Sequence, residues 1–456
     1  MTRCFFMPVD CPHLHPFNHP TLARIPAIGM PVNYRIIQLT LTLTICIAAH
    51  ANGADWPRFR GPTGMGVSDD KKAPVTWSDS KNIKWKKAMP GAGSSSPIVF
   101  GDRVYITCYS GYGNDGGSVN SLKRHLICLD RNSGKIVWDK TIKASLPEDS
   151  FRGYLTEHGY ATHTPVTDGE RIYAFFGKSG VFAFDMNGKQ MWHKMVGTES
   201  GAKRWGSASS PILYKETVII NASDESQSIR AFDKKTGKQK WKAEAASLEN
   251  TFGTPLIVNT GGRDEMVLAV PYEVWGLNPD TGKLNWYAEI PMDNNISPSV
   301  VVADGVAYAF GGYRTKGSVA VKVGGKGDAK SNVLWQNRFS TYVPSPVHRN
   351  DHLYFVNDTG TAYCIHAKSG KIVYSEDLNV RGRGKPFYAS ATLVNGNVIC
   401  VSRRNGTYVI AANTKYKQVA HNKIASDDSD FNASPAISNG QMFLRSNRFL
   451  YCIESN

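Results

Sequence analysis

Leu-Ile-Cys-Leu-Asp-Arg-Asn-Ser-Gly-Lys-Ile-Val-Trp, residues 126–138, decides the architecture of this 456-residue chain. It reads as a short alternating strand, a tight turn, and a second strand ending on Trp138. In the turn, Asp130 can accept from its own backbone and Gly134 can take positive φ. The same text returns with small edits at 182–192, ending on Trp192, at 229–241, ending on Trp241, and at 274–286, ending on Trp286. A unit that repeats at this scale settles the fold before any single element does.

Each full unit opens with Ser/Thr-Pro and an apolar pair, then a turn, a β-branched strand and the quoted sentence. The first runs from Ser96-Pro97 to Trp138, the second from Thr164-Pro165 to Trp192, the third from Ser210-Pro211 to Trp241 and the fourth from Thr254-Pro255 to Trp286. The fifth, from Ser297 to Trp335, has lost the Asp…Gly-Lys turn and carries Gly324-Gly325-Lys326-Gly327 instead. The sixth, from Ser345-Pro346, ends on Tyr374; the seventh, from Ser390, has neither Gly-Lys nor Trp. The eighth begins at Ser434-Pro435 and stops at Cys452-Ile453, after its third strand. Asn82-Ile83-Lys84-Trp85 is the tail of the same sentence without a beginning, so the N-terminus supplies the missing strand. Successive tryptophans from Trp85 to Trp335 are 53, 54, 49, 45 and 49 residues apart, the spacing of a four-stranded blade. The expectation is an all-β, eight-bladed β-propeller of antiparallel blades, closed by an N-terminal strand, with Trp85, Trp138, Trp192, Trp241, Trp286 and Trp335 docking blade on blade.

Four segments follow along the chain. Met30 to Ala51 has a basic residue (Arg35), an apolar stretch too short to span comfortably and an Ala49-His50-Ala51 cleavage site. This predicts a signal peptide removed after Ala51 and delivery to the periplasm or cell envelope. Residues 1–29 make no sense ahead of it and read as a misassigned upstream extension. Residues 52–78 read as an N-terminal surface segment, and 79–456 as the propeller.

Formal charge is +15, or +13 without residues 1–51 (50 basic against 37 acidic). No dense basic run appears outside Arg381, Arg383 and Lys385, so nucleic acid is not expected and the charge reads as spread over turns. Of eight cysteines, Cys128, Cys364 and Cys452 share one slot of the repeat, where a small apolar residue faces a sheet interior. Cys108 and Cys400 stand outside it, and spacing leaves their pairing open.

The Ala/Cys-x-Asp-x-x-Thr/Ser-Gly-x-x-x-Trp sentence resembles the tryptophan-docking repeat of the pyrroloquinoline quinone (PQQ) propellers. That family includes quinoprotein dehydrogenases and an outer-membrane assembly lipoprotein. The opening Trp56-Pro57-Arg58-Phe59-Arg60-Gly61-Pro62 is similar to a segment of exported PQQ-like repeat proteins of planctomycete-type bacteria. For quinone catalysis the resemblance implies a vicinal Cys-Cys pair over the quinone, a calcium held by Glu, Asn and Asp, and an Asp base. This chain has no adjacent cysteines and is shorter than the family's alcohol dehydrogenases, so neither PQQ nor calcium is expected. Fold alone does not assign an activity.

Other motifs read as structural. Gly111-Tyr-Gly-Asn-Asp-Gly116 fits G-x-G-x-x-G but lies between two strands of one blade with no helix after it. Asp427, Asp428 and Asp430 lack the glycine and closing glutamate of a calcium loop. His158 and His163 form a pair without a third ligand. Above background stand the aromatics just before each inner strand: Tyr160, Trp205, Phe252, Tyr342, Tyr388 and Phe431. Beside them are His163, Arg204, Asn295, Lys385, Asp430 and Asn432. In a propeller these connections open on one face around the axis. They form either a plug stapling blades together or an amphipathic binding rim. The reading is an exported, monomeric, non-catalytic scaffold for an envelope protein or peptide, peripheral to the membrane at most. The alternatives are a PQQ-dependent oxidoreductase and a carbohydrate-binding propeller.

Overall fold

The computed structural model describes residues 55–114, 116–380 and 384–455. The expected upstream extension and signal peptide, together with Asp115, Arg381 and Arg383, lie outside the described residues. Eight four-stranded antiparallel sheets follow one another along the chain. Blade 1 is representative: Ile98–Phe100, Arg103–Ser110, Lys123–Asp130 and Ile136–Lys143 pair in sequence order from the axis outward. Blade 8 takes three strands from the C-terminus (Ala436–Ser438, Gln441–Arg445, Phe449–Glu454) and its outermost from the N-terminus, Ile83–Ala88, with Trp85 opposite Cys452. The chain thus closes into the eight-bladed propeller through the pairing of its N-terminal strand with its C-terminal one.

Second and third strands of blade 1 are buried on both faces, as their near-continuous apolar runs require, while its outer strand alternates between half-buried and exposed. Alternate residues pack against the preceding and the following blade. Ile106, Ile127 and Val104 share a cluster with blade 8, whereas Tyr105, Leu126 and Cys128 share one with blade 2. Cys128, Cys364 and Cys452 are completely buried. Cys400, a free thiol, lies between blades 6 and 7, and Cys108 lies in the cluster between blades 8 and 1.

The repeated sentence has one physical purpose. Each outer-strand tryptophan lies on the turn glycine of the next blade: Trp85 on Gly134, Trp138 on Gly188, Trp192 on Gly237, Trp241 on Gly282 and Trp335 on Gly370. A methyl group at any of these glycines would sit 2.5–2.8 Å from the ring, and their φ of 67–80° already favours glycine. The indole N–H donates to a carbonyl of the same turn, for example Trp192 Nε1 to Lys234 O at 2.9 Å. Trp286 departs from this pattern because blade 5 has no such turn to cover. Its ring instead lies on Gly276 of its own blade and donates to the buried Glu265 at 2.9 Å. In place of the turn, Gly327–Asp328 adds to blade 4 as a parallel fifth strand.

The Ser/Thr that opens each unit forms a ring around the axis. The backbone N–H of each donates to the hydroxyl oxygen of the next blade's member, from Ser96 to Thr164, Ser210, Thr254, Ser299, Ser345, Ser390 and Ser434, at 2.9–3.1 Å. In the fifth unit the ring member is Ser299, two residues beyond the expected Ser297. The inner strands lie too close to the axis for large side chains, so a short hydroxyl both fits and satisfies the neighbour's buried donor.

Residues 55–78 are an internal plug as much as a surface segment. Trp56 is 1% exposed and exchanges backbone hydrogen bonds with Val99 of blade 1. Arg60 donates to Gly64 O, Met65 O and, in blade 6, Ser345 O and Pro346 O. Val67–Ser68 then pairs in parallel with the inner strand of blade 7. The segment runs across the face bearing the first and third turns of the blades, called the lower face below, and places Phe59 at the channel.

Candidate functional site

The opposite, upper face carries the connections between blades and the loops between second and third strands. On the axis, a cavity of about 140 Å³ is floored by the Ser/Thr ring and by Phe59 from the plug. Its wall is formed by Tyr154, His158, Trp205, Phe252, Tyr342 and Tyr388. Tyr154 and His158 come from the long connection between blades 1 and 2, which folds a short helical turn, Leu155–His158, over the channel. That turn is latched to blade 7 and to the blade 7–8 connection: Asn432 Nδ2 donates to Glu157 O at 2.7 Å, and Arg403 of blade 7 pairs with the Glu157 carboxylate. Tyr154 packs edge-on against Trp205, centroids 4.4 Å apart, and lies 6.1 Å from Tyr342.

His158 has both ring nitrogens engaged, one with Thr162 Oγ1 at 2.8 Å and one with Trp205 O at 2.9 Å. Burial lowers its pKa to about 4, so the imidazole is neutral. His163 points elsewhere, into the blade 2–3 interface, with Nε2 2.9 Å from Ser207 Oγ. Ser207 in turn donates to the buried Glu225. The hydroxyl lies between His163 and Glu225. Burial followed by the neighbouring Asp224 raises Glu225 to about 8. Arg124 pairs with Glu148 and Lys178 with Asp149 around the same small void.

The twelve expected rim residues divide by location. Trp205, Phe252, Tyr342, Tyr388 and Asn432 line the axial cavity. Lys385 and Asp430 line an adjoining open groove of about 790 Å³, together with Tyr154, Trp205, Tyr388 and Arg404. Lys385 Nζ stands 3.1 Å from the Tyr342 ring centre and 3.2 Å from Asp358, while Asp430 pairs with Arg403 and Arg404. Arg204 is exposed in the blade 2–3 connection, in the left-handed conformation. Asn295 is buried beside Tyr342 Oη, and His163 lies between blades as described. Tyr160 packs with Tyr109, Tyr112 and Phe151 beneath the connection, and Phe431 packs in the core with Tyr451. Sequence reasoning passed over Tyr154 and Phe59, because neither occupies a repeat position; the length of the first inter-blade connection was the available signal for Tyr154.

Asp427 accepts from Tyr451 Oη and shares Arg448 with Asp428, while Asp430 pairs with Arg403 and Arg404, so the three carboxylates are each held by protein cations or hydroxyls. The glycine-rich stretch at 111 forms a small hairpin, Tyr112–Gly113 with Gly116–Gly117. Among the described residues no group of three His, Cys, Asp or Glu side chains is disposed to hold a metal. A PQQ molecule is a planar tricarboxylate whose partner in its enzymes is a carboxylate-bound cation. The axial cavity offers hydroxyls, aromatic rings and one neutral imidazole, with no Arg, Lys, Asp or Glu in its lining. Those residues do not fit the quinone or its metal.

A family model described as "Outer membrane protein assembly factor BamB" matches residues 123–376. No curated protein matches the chain significantly. Among solved structures the chain is similar to BamB from Moraxella catarrhalis, at 11% identity and TM-score 0.58, over 82% of this chain and 97% of that one. It is also similar to a europium-containing methanol dehydrogenase, at 11% identity and TM-score 0.61, over 88% and 98%. The computationally designed Ika8 protein aligns at 9% identity and TM-score 0.55, over 80% and 98%. At such identities these likenesses describe the shared propeller. Among the described residues, no helix is long and apolar enough to cross a membrane.

Proposed function

The chain belongs to the outer membrane protein assembly factor BamB family, and we propose that it works as an exported, non-catalytic propeller that binds a cell-envelope protein on its upper face. The observation that carries this reading is the make-up of that face. Aromatic side chains converge on an open groove, while the enclosed channel behind them has no charged lining residue and its His158 is fully hydrogen-bonded. Rigid rings with polar neighbours at a concave opening suit macromolecular recognition better than turnover. Family membership supports a partner in envelope assembly, and the Met30–Ala51 segment supports export.

A photo-crosslinking residue at the exposed Tyr313, on an upper-face loop, is expected to trap a partner in the native host, whereas one at Ile372 on an outer blade edge is not. Trp205→Ala and Tyr342→Ala are expected to weaken the Tyr313 adduct. Adducts from Ile372 alone would move binding to the blade edges and sink this reading. Dye reduction that depends on added PQQ and calcium would establish the oxidoreductase alternative instead.

A further inference from the structure

The upper face carries a continuous array of rings and cations whose geometry selects among ligands. Lys203 Nζ lies 4.5 Å from the Trp205 ring centre and 5.6 Å from that of Tyr313. Tyr313, 49% exposed, lies 6.1 Å from Tyr342, and the Lys385 ammonium also stands against the Tyr342 ring. Arg403 sits 4.8 Å from the Tyr388 ring centre. A cation therefore stands over each of three upper-face rings, Trp205 and Tyr388 in the groove and Tyr342 in the axial cavity, using π-density that a sugar would need for stacking. What the surface offers to a ligand is positive charge held in place by rigid platforms.

That charge is only partly neutralised from within. Lys203, Arg204, Arg314 and Lys316 form no ion pair among the described residues, and the Arg404 side chain is 71% exposed although it pairs with Asp430. Asp293 and Glu249 are the acids closest in effect to Lys203. Both are committed to backbone donors: Asp293 to the N–H groups of Tyr313, Arg314 and Thr315, and Glu249 to that of Ala202. Asp293 and Glu249 keep their charge in these bonds, and four cations without an ion pair beside two carboxylates leave this part of the face with an excess of positive charge.

We propose that the occupant of this face is an acidic, extended segment of the partner protein, lying in the groove beside Trp205 and Tyr388 with its carboxylates on Lys203, Arg314 and Arg404. This rests on the reading of the upper face as the binding face and adds the chemistry of what binds there. Charge complementarity of this kind sets specificity and association rate, and is screened by salt.

The test uses the full mature chain and fluorescence anisotropy with labelled twelve-residue peptides. One alternates Glu with Phe, a second Gln with Phe, and a third Lys with Phe. The Glu peptide is expected to bind about ten-fold or more tightly than the other two, and to weaken several-fold between about 50 and 500 mM salt. Lys203→Glu with Arg404→Glu, whose folding is checked by circular dichroism and by retained binding of the Lys peptide, is expected to abolish Glu-peptide binding and favour the Lys peptide. Equal binding of the Glu and Gln peptides, or unchanged affinity in the double variant, overturns the proposal. So does binding confined to a sulfated oligosaccharide or to anionic phospholipid vesicles, run as parallel arms. The Tyr313 crosslink separates the two failures. An adduct that persists in saturating Glu peptide leaves upper-face binding standing and removes the acidic segment. Loss of every Tyr313 adduct in wild type removes the upper face itself.

Discussion

Replacing Trp192 with alanine tests the blade-docking principle where it is cleanest. The ring is 7% exposed, covers Gly237 and donates to Lys234 O at 2.9 Å. Burying ~200 Å² of indole at ~25 cal/mol per Å² gives roughly 5 kcal/mol as an upper bound. Residual compactness of the unfolded chain trims this by about a fifth to a third, and the hydrogen bond returns about 1 kcal/mol. The expected loss is therefore about 3–5 kcal/mol, in the range of large-to-small core changes. Met191, the neighbouring residue, is 47% exposed, and Met191→Ala is expected to change stability by less than about 0.5 kcal/mol. Gly237→Ala supplies an internal check, because its new methyl would meet the ring at 2.7 Å in a backbone of φ +69°. Removing the ring relieves the clash but not the backbone strain. The two substitutions should therefore be less than additive by about 1–2 kcal/mol. Equilibrium urea unfolding, followed by circular dichroism and tryptophan fluorescence, measures all four proteins. A Trp192→Ala midpoint matching that of Met191→Ala, or strict additivity with Gly237→Ala, refutes the reasoning.

Trp286→Phe is expected to destabilise by about 1–3 kcal/mol more than Trp192→Phe, read from denaturation midpoints. The half-buried carbonyl released at Lys234 keeps a second donor in Tyr173 Oη, whereas Glu265 is fully buried and loses a donor. Glu225 has a folded-state pKa raised from 4.5 to about 8, so the native state keeps a proton that the unfolded chain has lost. Its contribution is therefore fully present below about pH 4.5 and is lost as pH rises through about 8. Glu225→Gln should flatten the fall in melting temperature between pH 5 and pH 9, and an unchanged slope would exclude Glu225 as its source. Arg60→Leu removes a donor from four backbone acceptors of the plug and blade 6, of which Ser345 O keeps the Ala391 N–H. Cleavage in residues 55–78 by limited proteolysis should become faster by about ten-fold or more, as expected for the loss of about 1.4 kcal/mol or more of local stability. Wild-type resistance would show that the plug is held elsewhere.

How much of this was legible in the chain differs between fold and site. Blade number, closure through Trp85 and the docking of Trp192 on its neighbour follow from a text repeated at regular intervals, since each copy has the same local task. Trp286 shows the limit of that logic. Its sentence is intact, but its partner turn is missing from the next unit, and the ring turns inward to Glu265. The Ser/Thr-Pro openings were visible as punctuation, yet their role as a hydroxyl ring needs eight inner strands brought to one axis. At the site, Trp205, Phe252, Tyr342 and Tyr388 could be picked out by their place before an inner strand. Tyr160 and Phe431 occupy equivalent places and lie in the core, because side-chain direction in a connection depends on how that connection folds.

The amino-acid sequence by itself determined the propeller, because hydrophobic alternation, turn glycines and docking tryptophans are local instructions that need only a neighbouring copy. The tertiary structure alone decided which face is open and what it presents. The plug carrying Phe59, the Leu155–His158 turn latched to blade 7 and the cations standing on aromatic rings all join residues far apart in the chain. No repeat pattern encodes such contacts, since they form only after the ring has closed.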